Sequence, residues 1–120
     1  MQRPIHFEIH VEDPEASNVF FSEVLGWRSD RWGDMPYWLQ STGEGSGIDG
    51  AIGAVQEHGQ HVVLTMDVDD LDAARERVVD AGGAIKRERM AIPGVGWLIY
   101  ATDPNGLHFG LLESDPSATA

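Results

Sequence analysis

The chain has 120 residues, 20 acidic against 8 basic side chains, a net charge of −12 and no cysteine. That length fits one domain able to bury a core without covalent staples; the missing cysteine excludes disulfides, thiolate metal sites and a cysteine nucleophile. So acidic a surface repels phosphate backbones and anionic headgroups, so neither nucleic acid nor a membrane is an expected partner.

The opening Met1-Gln2-Arg3-Pro4 leads straight into a patterned strand, with no apolar signal-peptide segment. The longest apolar runs, such as Val62 to Leu64, are far too short to span a bilayer. A cytoplasmic location is the expectation. In the first strand Ile5, Phe7, Ile9 and Val11 alternate with His6, Glu8 and His10. One face therefore suits a helix and the other something wetter. Asp13 caps a predicted helix that runs to Leu25-Gly26, with Pro14 at its first position. Ala16, Val19, Phe20 and Val24 fall on its apolar face. Strands are predicted at 27–32, 37–41 and 48–55, separated by Gly33-Asp34 and a glycine-rich stretch from Gly43 to Gly47.

The second half repeats the first at an offset of 57 residues. Asp69-Asp70-Leu71-Asp72-Ala73 echoes Glu12-Asp13-Pro14-Glu15-Ala16, and Val62, Leu64, Met66 and Val68 keep the apolar phase of the first strand. The second helix carries Leu71, Ala74, Val78 and Ala81 on one face and ends at Gly82-Gly83. Strands follow at 84–90, 97–102 and 107–112. The pattern is βαβββ twice, an α+β fold. Two such modules side by side, helices outside, make an incomplete barrel around a cup. The domain is placed at 1–113, with modules of 1–57 and 58–113, and 114–120 reads as a disordered tail.

Several residues in this layout suit chemistry. His6 and Glu8 share a strand face about 6–7 Å apart, so both can touch one substrate. A carboxylate in a partly apolar cup is raised toward general acid or base work, and histidine can relay the proton. They are the candidate catalytic pair; the bland alternative is a hydrogen bond between two half-buried groups. Tyr37, Trp38, Trp97 and Tyr100 are the candidate substrate-binding aromatics, able to stack on a planar ligand, or else core and interface residues. Gly50, Gly53 and Gly110 would leave room for it. His10 reads as exposed near the strand end, and His58 as solvated in a loop.

The layout resembles the vicinal oxygen chelate superfamily, with its glyoxalases, extradiol dioxygenases and bleomycin resistance proteins. The resemblance is carried by Ile5-His6-Phe7-Glu8-Ile9, by Asp13-Pro14-Glu15-Ala16 through Leu25-Gly26-Trp27, by Met35-Pro36-Tyr37-Trp38, and by Asp103-Pro104-Asn105-Gly106 with Phe109-Gly110-Leu111. It implies metal-ligand positions at His6, Gly53, Val63 and Gly110, of which only His6 can coordinate. The usual site is thus broken, and no cofactor is assured. His61 and His108 each lie two residues before a lost ligand position and keep its parity, so His6, His61 and His108, with Glu8 as a fourth candidate, form a candidate displaced site for a divalent metal. The resemblance implies a glyoxalase-like small-molecule enzyme performing isomerase or lyase chemistry beside a carbonyl. The rival reading is a bleomycin-resistance-type protein that sequesters a drug or metabolite. The expected partners are a small-molecule ligand and, as superfamily members of one small domain commonly pair, a second copy in a homodimer.

Overall fold

The computed structural model describes residues 2–119; Met1, at the start of the expected domain, and Ala120, at the end of the expected tail, lie outside the described residues. The element order is β1 (Pro4–Val11), α1 (Pro14–Leu25), β2 (Arg28–Arg31), β3 (Tyr37–Ser41), β4 (Gly50–Ala54), β5 (Val62–Asp67), α2 (Leu71–Asp80), β6 (Ala84–Ile92), β7 (Gly96–Thr102) and β8 (His108–Ser114). This is the twofold βαβββ, α+β pattern. The chain divides into a unit of Ile5–Val63 and a second unit that begins at Leu64 and takes in residues 2–4. Two hydrogen bonds attach that N-terminal piece. Arg3 N donates to Asp67 Oδ1 at 2.7 Å, and Asp67 N donates to Arg3 O at 2.9 Å.

In the first unit the strand order is β2-β3-β4-β1. The β1–β4 pair is parallel, with Glu8 opposite Ala51 and His10 opposite Gly53; β4–β3 and β3–β2 are antiparallel. Asp13 Oδ1 caps α1 by accepting from Ala16 N, and Gly26 ends it in the left-handed conformation that glycine adopts freely. Contrary to the expected apolar face, α1 does not rest on its sheet through Ala16, Val19, Phe20 and Val24, all of which are exposed. The less exposed positions are Pro14, Ser17, Asn18 and Phe21, on the opposite side of the helix. A polar link fixes that orientation. The buried Gln40 donates from Nε2 to Asn18 Oδ1 at 2.9 Å and accepts from Ser29 Oγ at 3.0 Å. Phe21 stacks on Trp27, which also meets Phe7.

In the second unit the order is β5-β8-β7-β6, with β5–β8 parallel and the others antiparallel. Here the helix behaves as its periodicity predicts. Leu71 and Ala74 enter a core with Val68, Ile99 and Leu111, and Val78 packs against it; Ala81 is the exception, exposed at the C-cap. Residues 115–119, in the segment read as a tail, make specific contacts. Asp115 accepts from Ser117 in a tight turn, Trp97 Nε1 donates to Asp115 Oδ2 at 3.0 Å, and Gly94 N donates to the carbonyl of the buried Ala118.

The polar faces of the first strands are drier than expected. Glu8 is 4% and His10 1% exposed, whereas Val62 and Leu64 on β5 are exposed. The two-residue period is as read; which face is wet is not.

Candidate functional site

In the first unit the face of the sheet opposite α1 carries His6, Glu8 and His10 from β1 and Tyr37 from β3. Strand register sets this. His10 lies beside Gly53, which lies beside Tyr37, and side chains level across neighbouring strands share a face. Gly53 matters here. A Cβ at that position would meet Tyr37 Cδ2 at 2.9 Å, so the bare backbone lets the phenol ring lie across the strand. Tyr37 Oη then reaches His6 Nε2 at 3.4 Å.

Glu8 has a different histidine partner from the one the sequence reading favoured. Its Oε1 lies 3.7 Å from His10 Nε2, and both side chains are buried. His10 Nδ1 donates to Ala54 O at 3.1 Å, which fixes the ring. His58, expected to be solvated, meets the His10 ring edge to face, 5.7 Å between centroids. His61 Nδ1 donates to His10 O at 2.9 Å. The strand phase already placed His10 with His6 and Glu8; its nearness to the strand end suggested exposure, and only tertiary burial reverses that.

These surroundings set the protonation states apart. Burial pushes the His6 imidazole below its ordinary value of 6.5, partly offset by the charges of Glu8 and Asp49. The Glu8 carboxylate holds His10 above that value, against burial. Burial first and the Glu8 charge second push the Tyr37 phenol above its ordinary range. Near neutrality the face therefore presents a neutral imidazole, His6, beside a protonated phenol. Asp49, which the sequence reading did not single out, sits just before Gly50, the partner of Phe7, and so stands level with His6.

A histidine titration followed by NMR is expected to show His10 with a midpoint above 6.5 and His6 with one below it. The stability signs are opposite. The His10 contribution is full below pH 6.5 and is lost as pH rises through its raised midpoint. The His6 contribution is present above pH 6.5 and is lost as pH falls through its lowered midpoint. Equal midpoints for the two rings would contradict the arrangement.

Of the four expected aromatic contacts, two are on the other side. Trp38 follows Tyr37 directly, so strand alternation sends it to the α1 face, where the Arg31 guanidinium lies 5.0 Å from its ring. Trp97 lies on the α2 face, packed against the core, with Arg89 at 4.7 Å. In the second unit Tyr100 pairs with Gly110, on the face opposite α2.

The metal-ligand positions do not fit a divalent ion. Gly53 gives its space to Tyr37. A Cβ at Gly110 would meet Thr65 Oγ1 at 2.6 Å and Leu98 Cδ1 at 3.3 Å. Val63 is buried and apolar. These glycines do not leave room for a ligand, as expected; neighbouring side chains fill it. Gly50 is the same, with Phe7 in its space. Of the displaced set, His6 and His61 lie in the first unit and His108 in the second. Among the described residues no three His, Asp or Glu side chains gather to hold a metal.

The sequence matches the glyoxalase-like domain family over residues 5–112. No curated protein matches it. Solved structures share the fold at low identity. Methylmalonyl-CoA epimerase from Mycobacterium tuberculosis is 20% identical, with a TM-score of 0.70 over 94% of this chain and 88% of that one. A glyoxalase/bleomycin resistance protein/dioxygenase superfamily member from Vibrio splendidus 12B01 is 19% identical, with a TM-score of 0.71 over 96% and 100%. The Mn(II)-bound glyoxalase from Novosphingobium aromaticivorans is 20% identical, with a TM-score of 0.67 over 99% of this chain but 40% of that one.

Proposed function

This chain belongs to the glyoxalase-like domain family, and from that premise we propose that it is a small-molecule enzyme that moves a proton on the carbon beside a carbonyl, with no metal at the family's ligand positions. The supporting observation is the β1 row, where a neutral His6 stands 3.4 Å from the Tyr37 hydroxyl with the buried Glu8–His10 pair behind it. His6 accepts the proton from carbon, because a lowered pKa keeps its lone pair free at neutral pH. Tyr37 donates to the oxygen on which negative charge develops, because its raised pKa keeps its proton in place. Glu8 supplies the charge that makes a protonated His6 tolerable. Isomerisation and epimerisation both need these roles, and an epimerase and a glyoxalase are among the structural neighbours.

The test is deuterium incorporation, followed by NMR, into small carbonyl compounds with one acidic α-hydrogen, a malonyl-type thioester among them. Wild-type protein should exchange at least one of them well above buffer, and His6→Gln should abolish that. Absence of exchange across the set would remove the enzyme reading. Sequestration of a drug or metabolite, as by a bleomycin resistance protein, is the second reading. It is favoured by the packing that replaces three of the four metal-ligand positions. Tight binding without exchange would select it.

A further inference from the structure

The first unit has a concavity on the α1 side of its sheet, away from His6 and Tyr37. It is an open crevice of about 470 Å³ between α1 and the start of β2. Hydrogen bonding beneath it decides what its wall offers. Gln40, 1% exposed, donates from Nε2 to Trp38 O at 3.3 Å as well as to Asn18 Oδ1. Those two bonds orient the Gln40 amide, whose Oε1 accepts from Ser29 Oγ. Asn18, a lining residue, therefore turns its oxygen toward Gln40. Its Nδ2 has no partner among the described residues and is not buried, so it stands as an open donor. Ser29 Oγ, its proton given to Gln40, keeps lone pairs as an acceptor on the same wall. Trp27, stacked on Phe21 and touched by Phe7, makes a fixed aromatic surface, and Val19 adds apolar area.

Two charged side chains line the crevice, Glu23 near the end of α1 and Arg28 at the start of β2. Among the described residues neither side chain makes an ion pair or a hydrogen bond. We propose that this crevice binds a free α-amino acid with an apolar side chain. Arg28 and Asn18 Nδ2 take the carboxylate, Glu23 and Ser29 Oγ take the ammonium, and the side chain lies against Trp27 and Val19. The C-terminal end of α1 adds partial negative charge for the ammonium. A plain anion suits the crevice poorly, because Glu23 repels it, and Glu44 and Asp49 line an adjoining depression that Arg28 also borders. A plain cation meets the fixed charge of Arg28. A ligand carrying both charges answers both residues. The crevice is open, so binding is expected to be weak, with a dissociation constant on the order of millimolar for so small a ligand.

The experiment is an NMR titration of the full chain with L-phenylalanine, following the side-chain amide of Asn18 and the indole N–H of Trp27. Both signals should shift and saturate. Phenethylamine, which lacks the carboxylate, and hydrocinnamate, which lacks the ammonium, should each bind roughly tenfold more weakly or worse, the effect of losing a charged hydrogen bond. Arg28→Gln and Glu23→Gln should each weaken L-phenylalanine by a similar factor with the fold unchanged, since both side chains are exposed. Asn18→Asp keeps the acceptor for Gln40 but sets a carboxylate against that of the ligand, and should weaken binding at least as much. Absence of saturable shifts up to the solubility limit of the amino acid overturns the proposal. So does binding of the amine or the acid as tight as that of the amino acid, or binding indifferent to Arg28→Gln and Glu23→Gln. Shifts confined to His6 and Tyr37, with Asn18 and Trp27 unmoved, place the ligand elsewhere and overturn it too.

Discussion

Glu8→Gln is expected to reduce proton exchange on the order of a hundredfold or more while the fold persists. The substitution keeps shape and removes charge. The carboxylate it replaces is 4% exposed and lies 3.7 Å from His10. Its charge acts on three groups in one row. It pushes the His10 pKa up against burial, it raises the phenol of Tyr37, and it partly restores to His6 the basicity that burial removes. Without it His6 becomes a poorer base, and His10 loses the partner that stabilises its charge. The histidine titrations report this apart from turnover, since the midpoints of His10 and His6 should both fall. The stability that wild type loses as pH rises through the His10 midpoint should shrink with them. If Glu8 instead anchors a cationic ligand, affinity weakens by about 1.5–3 kcal/mol, the range of a charged hydrogen bond. Unchanged turnover and affinity in a folded variant would take Glu8 out of the site.

Gly110→Glu, which would put a carboxylate back at the family's ligand position, is expected to destabilise the protein severely and to create no metal site. The obstacle is packing. Gly110 is buried, and a Cβ there already lies 2.6 Å from Thr65 Oγ1. Gly110→Ala alone should cost about 1–3 kcal/mol, the usual range for overpacking a core. Glutamate adds the burial of a charge without a partner, which costs more. Removing the obstacle should show the coupling. In a Thr65→Ala background, Gly110→Ala should cost measurably less than in wild type. Denaturant unfolding of wild type and of each variant measures these costs. A Gly110→Glu variant of wild-type stability that binds Mn(II) would show that a single residue, and not the packing around it, separates this chain from a metal-binding relative.

The twofold βαβββ pattern, the 57-residue repeat, both aspartate caps and the strand parity were legible in the sequence, because each depends on neighbours a few residues away. Parity placed His6, Glu8 and His10 on one face; the same rule separates Tyr37 from Trp38, since adjacent strand residues point oppositely, yet it is left unapplied where both are read as aromatics of one site. What parity cannot carry is depth. Exposure depends on what lies over a face, and this made His10 buried where the strand end suggested water. The outward turn of α1 was hidden for a related reason. Its apolar stripe predicted a core face, but the Gln40–Asn18 hydrogen bond, between residues 22 apart, holds the polar side to the sheet. Likewise, a glycine in the sequence signals space and cannot say who uses it; Tyr37 at Gly53 and Thr65 at Gly110 are contacts between strands. Local periodicity therefore determined the elements and their faces, while long-range packing decided which faces are dry, which histidine meets Glu8, and that the metal positions are closed.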